Sequence, residues 1–167
     1  TCDREYEVSG VGYAPKGEIL CGKDKWEAAD NEELRLLVSG GALCSNARLV
    51  EPDEEGGRYT VLGDPTEACL LVSAQKAGLS LEGLEREMPR VRELPFESRR
   101  KRMTTIHQLK RPLDGASRVA FVKGAPNEVV RLSDNYRTDG KVMPMSDEMR
   151  KSIMDANDGY AANGLRV

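Results

Sequence analysis

The chain has 167 residues, 28 acidic and 25 basic, for a net charge of −3 and a pI near 5.4. That length suits one domain able to bury a core, and the acidic balance argues against a general nucleic-acid or anionic-membrane binder. Aromatic residues make up only 5% of the chain, too few for a base-stacking platform, and no apolar run approaches the ~18 residues of a membrane span.

Glu5 to Leu20 reads as a hairpin: Tyr6 and Val8, then Gly10, Gly12, Pro15 and Gly17 as turn signals, then Ile19-Leu20. The Gly10–Pro15 stretch is not a dinucleotide fingerprint, because it ends in Pro and no helix pattern opens there. Asp30-Asn31-Glu32-Glu33 predicts a capping-box helix start with Asp30 as acceptor and Glu33 three residues on. Leu34, Leu37, Val38, Ala42 and Leu43 continue it at helical spacing. Ser39-Gly40-Gly41 within it marks a close helix contact or a weakened turn. Arg48–Val50 and Tyr59–Leu62 read as a hairpin around Pro52–Gly57.

Gly63-Asp64-Pro65-Thr66-Glu67 predicts a second helix, with Asp64 as cap, Pro65 at the first helical position and Glu67 returning to close the box. Gly78 ends it, and a short helix follows around Leu81–Met88. Strands are expected near Val91–Phe96, Lys101–Leu109 and Arg118–Lys123, the last two joined by a Pro112–Gly115 turn. Pro126 opens a short helix, Asp139-Gly140 makes a tight turn, and Ser146-Asp147-Glu148-Met149 starts a long helix that stops at Asn163-Gly164. The pattern predicts a single α+β domain over residues 1–167: a twisted antiparallel sheet of about six strands flanked by helices.

The four cysteines (Cys2, Cys21, Cys44, Cys69) are widely spaced with no CxxC pair, so they give no zinc signature and suit a reducing compartment. His107, the single histidine, falls on a strand and reads as structural. There is no P-loop, no GxSxG, no HExxH and no kinase HRD or DFG, so nothing supplies a nucleophile or a metal cage. The absence of an initiator Met, and an ending at Leu165-Arg166-Val167 in mid-pattern for a strand, lead us to expect a piece of a longer polypeptide.

The stretch with chemical potential is Pro95-Phe96-Glu97-Ser98-Arg99-Arg100-Lys101-Arg102-Met103. On a strand, Arg99 and Lys101 would face one way and Arg100 and Arg102 the other. One aromatic beside a face of cations could hold a planar ring that carries phosphates; the alternative is a charged edge strand that discourages aggregation. Lys123 ends a strand just before a helix N-terminus, where an anion is favoured, or is a solvated strand end. Phe96 offers a ring face or fills the core. Glu67 accepts from an exocyclic amine or only completes its own cap.

Three motifs in this order, Gly63-Asp64-Pro65-Thr66-Glu67, then Pro95-Phe96-x-Ser98-x-Arg100-Lys101-Arg102-Met103, then Lys123-Gly124-Ala125-Pro126, resemble the nucleotide-binding domain of P-type cation-transporting ATPases. Gly10-x-Gly12-Tyr13-x-Pro15-x-Gly17-Glu18 looks like the segment after the phosphorylation motif in the calcium-pump-like branch, and Gly164-Leu165-Arg166 like the return strand toward the phosphorylation domain. The resemblance implies that Phe96 stacks on adenine, Glu67 contacts its edge, Lys101 lines the pocket, and Lys123 with Gly124 forms the floor. It implies that Arg166 reaches toward the phosphates. Ser98 stands where some calcium pumps carry an arginine, which leaves Arg99, Arg100 and Arg102 as alternatives for the phosphate contact.

The family's phosphorylatable Asp motif, actuator motif and membrane helices are missing from this sequence. The expectation is therefore a cytoplasmic-face ATP-binding domain of a multi-pass pump, calcium being the expected ion. It would take ATP (Mg-ATP in the whole pump), present the γ-phosphate to the phosphorylation domain of the same polypeptide, and cooperate with its actuator domain. In isolation it is expected to be a monomer that binds ATP without hydrolysing it, with no nucleic acid and no direct membrane contact. The alternative is a regulatory or interaction domain that kept the fold and lost ATP.

Overall fold

The computed structural model describes residues 4–29, 31–54 and 56–167. Strands β1 (Glu7–Val8), β2 (Ile19–Cys21) and β3 (Asp24–Trp26) make a small antiparallel sheet. Helix α1 (Glu32–Leu43), the hairpin β4 (Arg48–Val50) and β5 (Thr60–Leu62), and helices α2 (Pro65–Lys76) and α3 (Leu81–Glu87) follow. The main sheet is β6 (Arg90–Glu97), β7 (Arg102–Leu113) and β8 (Ala116–Gly124), with β7 central. Helix α4 (Pro126–Leu132), the hairpin β9 (Asn135–Thr138) and β10 (Lys141–Pro144), and helix α5 (Asp147–Ala162) complete the chain.

The α+β class and the antiparallel pairing match the expectation. Strands are more numerous, ten among the described residues, because β3, β9 and β10 are short pairs without apolar alternation. The two Asp-Gly turns behave as local chemistry dictates. Asp114-Gly115 and Asp139-Gly140 both have positive φ at both positions (48° and 80°, 46° and 72°), the geometry that matches the twist of a two-residue hairpin.

Helix starts follow their caps. Asp64 accepts from the N–H of Thr66 at 2.6 Å and of Glu67 at 3.3 Å, with Pro65 behind it. Ser146 caps α5 through Met149 N–H. The cap of α1 is Asn31, which accepts from Leu34 N–H at 2.7 Å. The expected acceptor, Asp30, lies outside the described residues; the carboxylate of Glu33 accepts from Gly140 N–H at 2.5 Å. Gly40 marks a close contact, since a Cβ there would lie 2.9 Å from the ring of Phe121 on β8.

One face of the main sheet carries Met103, Thr105, His107 and Leu109, all buried, on the side of α1 and α3. The core there is made largely of small and branched side chains, with Ala42, Ala68, Leu71, Ala74 and Leu84 at its centre. A second cluster, Ile19, Ala28, Leu34 and Ala77, seats the first sheet on the helices. Helix α5 buries no residue; Arg150 ties it to the carbonyls of Val130 and Ser133 at the end of α4.

One local expectation fails. Residues 98–101 form a turn, with Lys101 at φ 53°, so the cations do not alternate on a strand. Glu97 accepts from Lys101 N–H at 2.7 Å and closes that turn. Residues 165–167 carry no strand pairing among the described residues.

Candidate functional site

The centre of the site is the first turn of α2. Its cap and Pro65 aim Glu67 away from the helix, across to the 44–47 turn that follows α1. Glu67 Oε2 accepts from the backbone N–H of Asn46 at 2.7 Å and Ala47 at 3.0 Å, and its Oε1 accepts from Lys123 Nζ at 2.5 Å. Glu67 therefore does not return to its own cap; it satisfies donors twenty residues back in the chain. Its side chain is 17% exposed and that of Lys123 27%. Burial pushes the Glu67 carboxyl up, but the Lys123 hydrogen bond and charge, with the two backbone donors, outweigh it and hold the group below its usual value.

Lys123 ends β8 and shares a face with Met103, its partner on β7. Its ammonium also reaches Ser45 Oγ at 3.4 Å. An open apolar cleft of about 550 Å³ runs beside it, floored by Gly40, Gly41, Leu70 and Phe121. Gly124 has no room for a side chain: a Cβ would strike the backbone oxygen of Lys101 and the Cα and Cβ of Arg102. That close approach lets Ala125 N–H bond the Lys101 carbonyl at 2.9 Å, fastening the cationic turn to the start of α4.

Phe96 is not a core residue; it is 62% exposed. The pairing of β6 with β7 slips between Leu94 and Glu97, so Pro95 and Phe96 together oppose Met103. Such a bulge re-aims a side chain, and Pro95 tolerates it because it has no N–H to lose from the ladder. Phe96, Met103 and Lys123 thus form a row across the three strands, the outer two separated by about 10 Å.

The cations divide. Arg100 folds onto its own strand, donating to Glu97 Oε2 at 3.1 Å and the Pro95 carbonyl at 2.9 Å, and Arg102 donates to the Arg100 carbonyl at 3.1 Å. Arg99 makes no ion pair among the described residues, and Ser98 is exposed in the same turn. Arg166 arrives from the far end of the chain to donate to Thr66 Oγ1 at 2.7 Å, beside Asp64. Glu67, Lys123 and Arg166 therefore meet at the start of α2, whereas Phe96, Ser98, Arg100 and Lys101 sit on the β6–β7 turn.

Sequence reasoning missed Arg90, Ser45, Asn46 and Glu93. Arg90 donates to the carbonyls of Leu43 and Ser45, both at 2.7 Å, to Asn46 Oδ1 at 2.6 Å and to Glu93 Oε2 at 3.0 Å. Asn46 Nδ2 in turn donates to Glu93 Oε1 at 2.9 Å. Apart from the Arg90–Glu93 pair, three residues apart, no local signal announces this network, whose other partners lie 44–47 residues apart. His107 is structural as expected: it is 1% exposed and bonds the Met88 carbonyl and Thr105 Oγ1. Among the described residues no group of three or more His, Cys, Asp or Glu could hold a metal, and no helix is long and apolar enough to cross a membrane.

Residues 33–167 match the family described as P-type ATPase, cytoplasmic domain N. The chain is 35% identical, over 98% of its length, to a cation-transporting ATPase of Synechocystis and 33% identical, over 98%, to a calcium-transporting ATPase of Bacillus subtilis. It is 29% identical, over 96%, to the human calcium-transporting ATPase type 2C member 1. The chain spans 18% of the length of the first two relatives and 16% of the human one. The chain belongs to the P-type cation-transporting ATPases and corresponds to their cytoplasmic domain N.

Proposed function

We propose that this chain is the ATP-holding domain of an ATP-driven cation pump and that Phe96 supplies the face on which adenine stacks. The observation that carries the reading is the exposed Phe96 ring, turned out by a bulge and in register, through Met103, with Lys123. A base on an aromatic face is worth about 1–3 kcal/mol, and an exposed ring gains most from being covered. Glu67 meets the edge of the base, Lys101 and Gly124 shape the wall and floor, and Arg166 approaches the phosphates. Of the arginines at the turn, Arg100 and Arg102 already donate to Glu97 or to backbone carbonyls, so Arg99 takes the phosphate contact in preference to Arg100, with Ser98 beside it.

The chemistry of the residues fits ATP, with magnesium arriving on the nucleotide. In the whole pump this domain orients the triphosphate toward the phosphorylatable Asp of the neighbouring domain, and closure of the two is the gating step. Calcium is the proposed cargo, since relatives from bacteria to mammals are named calcium-transporting ATPases.

The test is an ATP titration of the isotope-labelled chain followed by amide NMR, repeated on Phe96→Ala and Lys123→Ala. Resonances at Glu67, Phe96 and Lys123 should move together, and both variants should lose the effect. If ATP moves nothing, or only the 99–102 amides in a salt-sensitive way, the chain has kept the fold without the nucleotide.

A further inference from the structure

We infer that Arg90 is a positioning residue for this site: its guanidinium clamps the 43–47 turn so that the turn presents two N–H groups to Glu67, and Glu67 thereby fixes Lys123. The inference deepens the proposed function and rests on it for its consequence in ATP binding, but its structural half stands independently.

The chain of contacts is continuous. On one side of the turn, Arg90 bonds the carbonyls of Leu43 and Ser45 and the amide oxygen of Asn46. On the other side, the N–H groups of Asn46 and Ala47 hold Glu67 Oε2, and Ser45 Oγ meets Lys123. A peptide group has one direction, so fixing its carbonyl fixes its N–H. The carbonyl of Ser45 shares a peptide plane with the N–H of Asn46. Arg90 pulling on the first therefore orients the second onto Glu67.

Arginine suits this task and lysine does not. Four acceptors lie around one planar fork, three of them on the turn and the fourth on Glu93. The register of β6 against β7 also slips between Arg90 and Arg92, the kind of bulge that redirects a side chain. Strand β6 thus carries two bulges: one beside Arg90 and the turn, the other at Phe96. A single strand joins the aromatic face to the clamp on the Glu67–Lys123 pair, which gives the base-binding and charge-bearing halves of the site a common frame.

The experiment compares wild type, Arg90→Ala and Arg90→Lys in the 167-residue chain. Two readouts are taken: the titration of the Glu67 carboxyl carbon by NMR without nucleotide, and the ATP dissociation constant. Positioning predicts that the Glu67 titration moves up toward an ordinary glutamate in both variants, and that ATP binding weakens by about tenfold, the scale of one lost directional contact. Arg90→Lys should fail to rescue either. If a folded variant keeps the wild-type Glu67 titration, the inference is overturned whatever happens to its melting temperature. If Arg90→Ala does not fold, Arg90→Lys alone decides. If wild type does not bind ATP, the proposed function falls while the carboxyl titration still judges the clamp.

Discussion

Glu67 offers the sharpest test of the site as a physical object. Its carboxylate does two separable things: Oε2 holds two backbone N–H groups, and Oε1 holds Lys123. Hydrogen bonds to charged groups contribute roughly 1.5–3 kcal/mol each, and partial exposure puts these near the low end. Glu67→Ala, which removes all three, should therefore cost about 4–5 kcal/mol. Lys123→Ala removes only the ion pair and some packing, about 1–2 kcal/mol. With side chains 17% and 27% exposed, the pair lies between a surface bridge, worth at most ~1 kcal/mol, and a fully buried one, whose breakage costs ~3–5 kcal/mol. The coupling energy in a double-mutant cycle should be about 1–2 kcal/mol.

The assay is urea unfolding at 25 °C and pH 7, read by the fluorescence of Trp26, the single tryptophan. The cycle has a pH signature as well. The Glu67 carboxyl is held below its usual 4.5, so its contribution is complete above that value and is lost as pH falls through the lowered folded-state value. The coupling should stay near full size at pH 5 and shrink only in more acidic buffer. A coupling under about 0.3 kcal/mol, or a Lys123→Ala cost equal to that of Glu67→Ala, would refute the reasoning, because the second set of bonds would then carry nothing.

Two further outcomes follow from the fold. Burial lowers the His107 basicity, Arg90 adds to that, and the Met88 carbonyl only partly opposes it, so the folded state binds its proton below the usual 6.5. The unfolded chain then binds more protons, and stability should fall as pH drops below 6.5, by at most about 1.4 kcal/mol per pH unit; denaturation between pH 5.5 and 7.5 should show a slope that His107→Gln flattens. Helix glycines should split in sign. Gly40→Ala forces the Phe121 ring to move and should destabilise by about 1–2 kcal/mol, whereas Gly159→Ala on α5, with open space around it, should stabilise by about 0.5–1 kcal/mol, both read as shifts in melting temperature.

What could be read from the sequence was local. Asp64-Pro65 and Ser146 announce helices because the cap and its N–H donors lie within three residues, and Asp-Gly announces a hairpin because only two φ angles are involved. The cationic run was misread as a strand because nothing in its composition reveals that Lys101 takes a positive φ and turns the chain. Glu67 was recognised as important, but its partners were not: a helix-start glutamate usually closes its own box, and only the packing of α1 against α2 brings the 46–47 turn within reach. Arg90 gave no signal at all. Its neighbours in sequence, Pro89 and Val91, suggest an exposed edge strand, and its four acceptors become visible only once β6 lies against the end of α1.

That clamp has a consequence for how the chain folds. The last turn of α1 contains no basic side chain, so its carbonyl end is completed by a cation from 45–47 residues downstream. Closing a segment of that length carries an entropic cost of about 3 kcal/mol, which the helix cannot recover alone. We therefore expect the turn after α1 to gain its full order only as β6 docks, a late and cooperative step. The two backbone donors that hold Glu67 come into existence with that step, so the geometry of the site is a product of the completed topology and has no precursor in any isolated element.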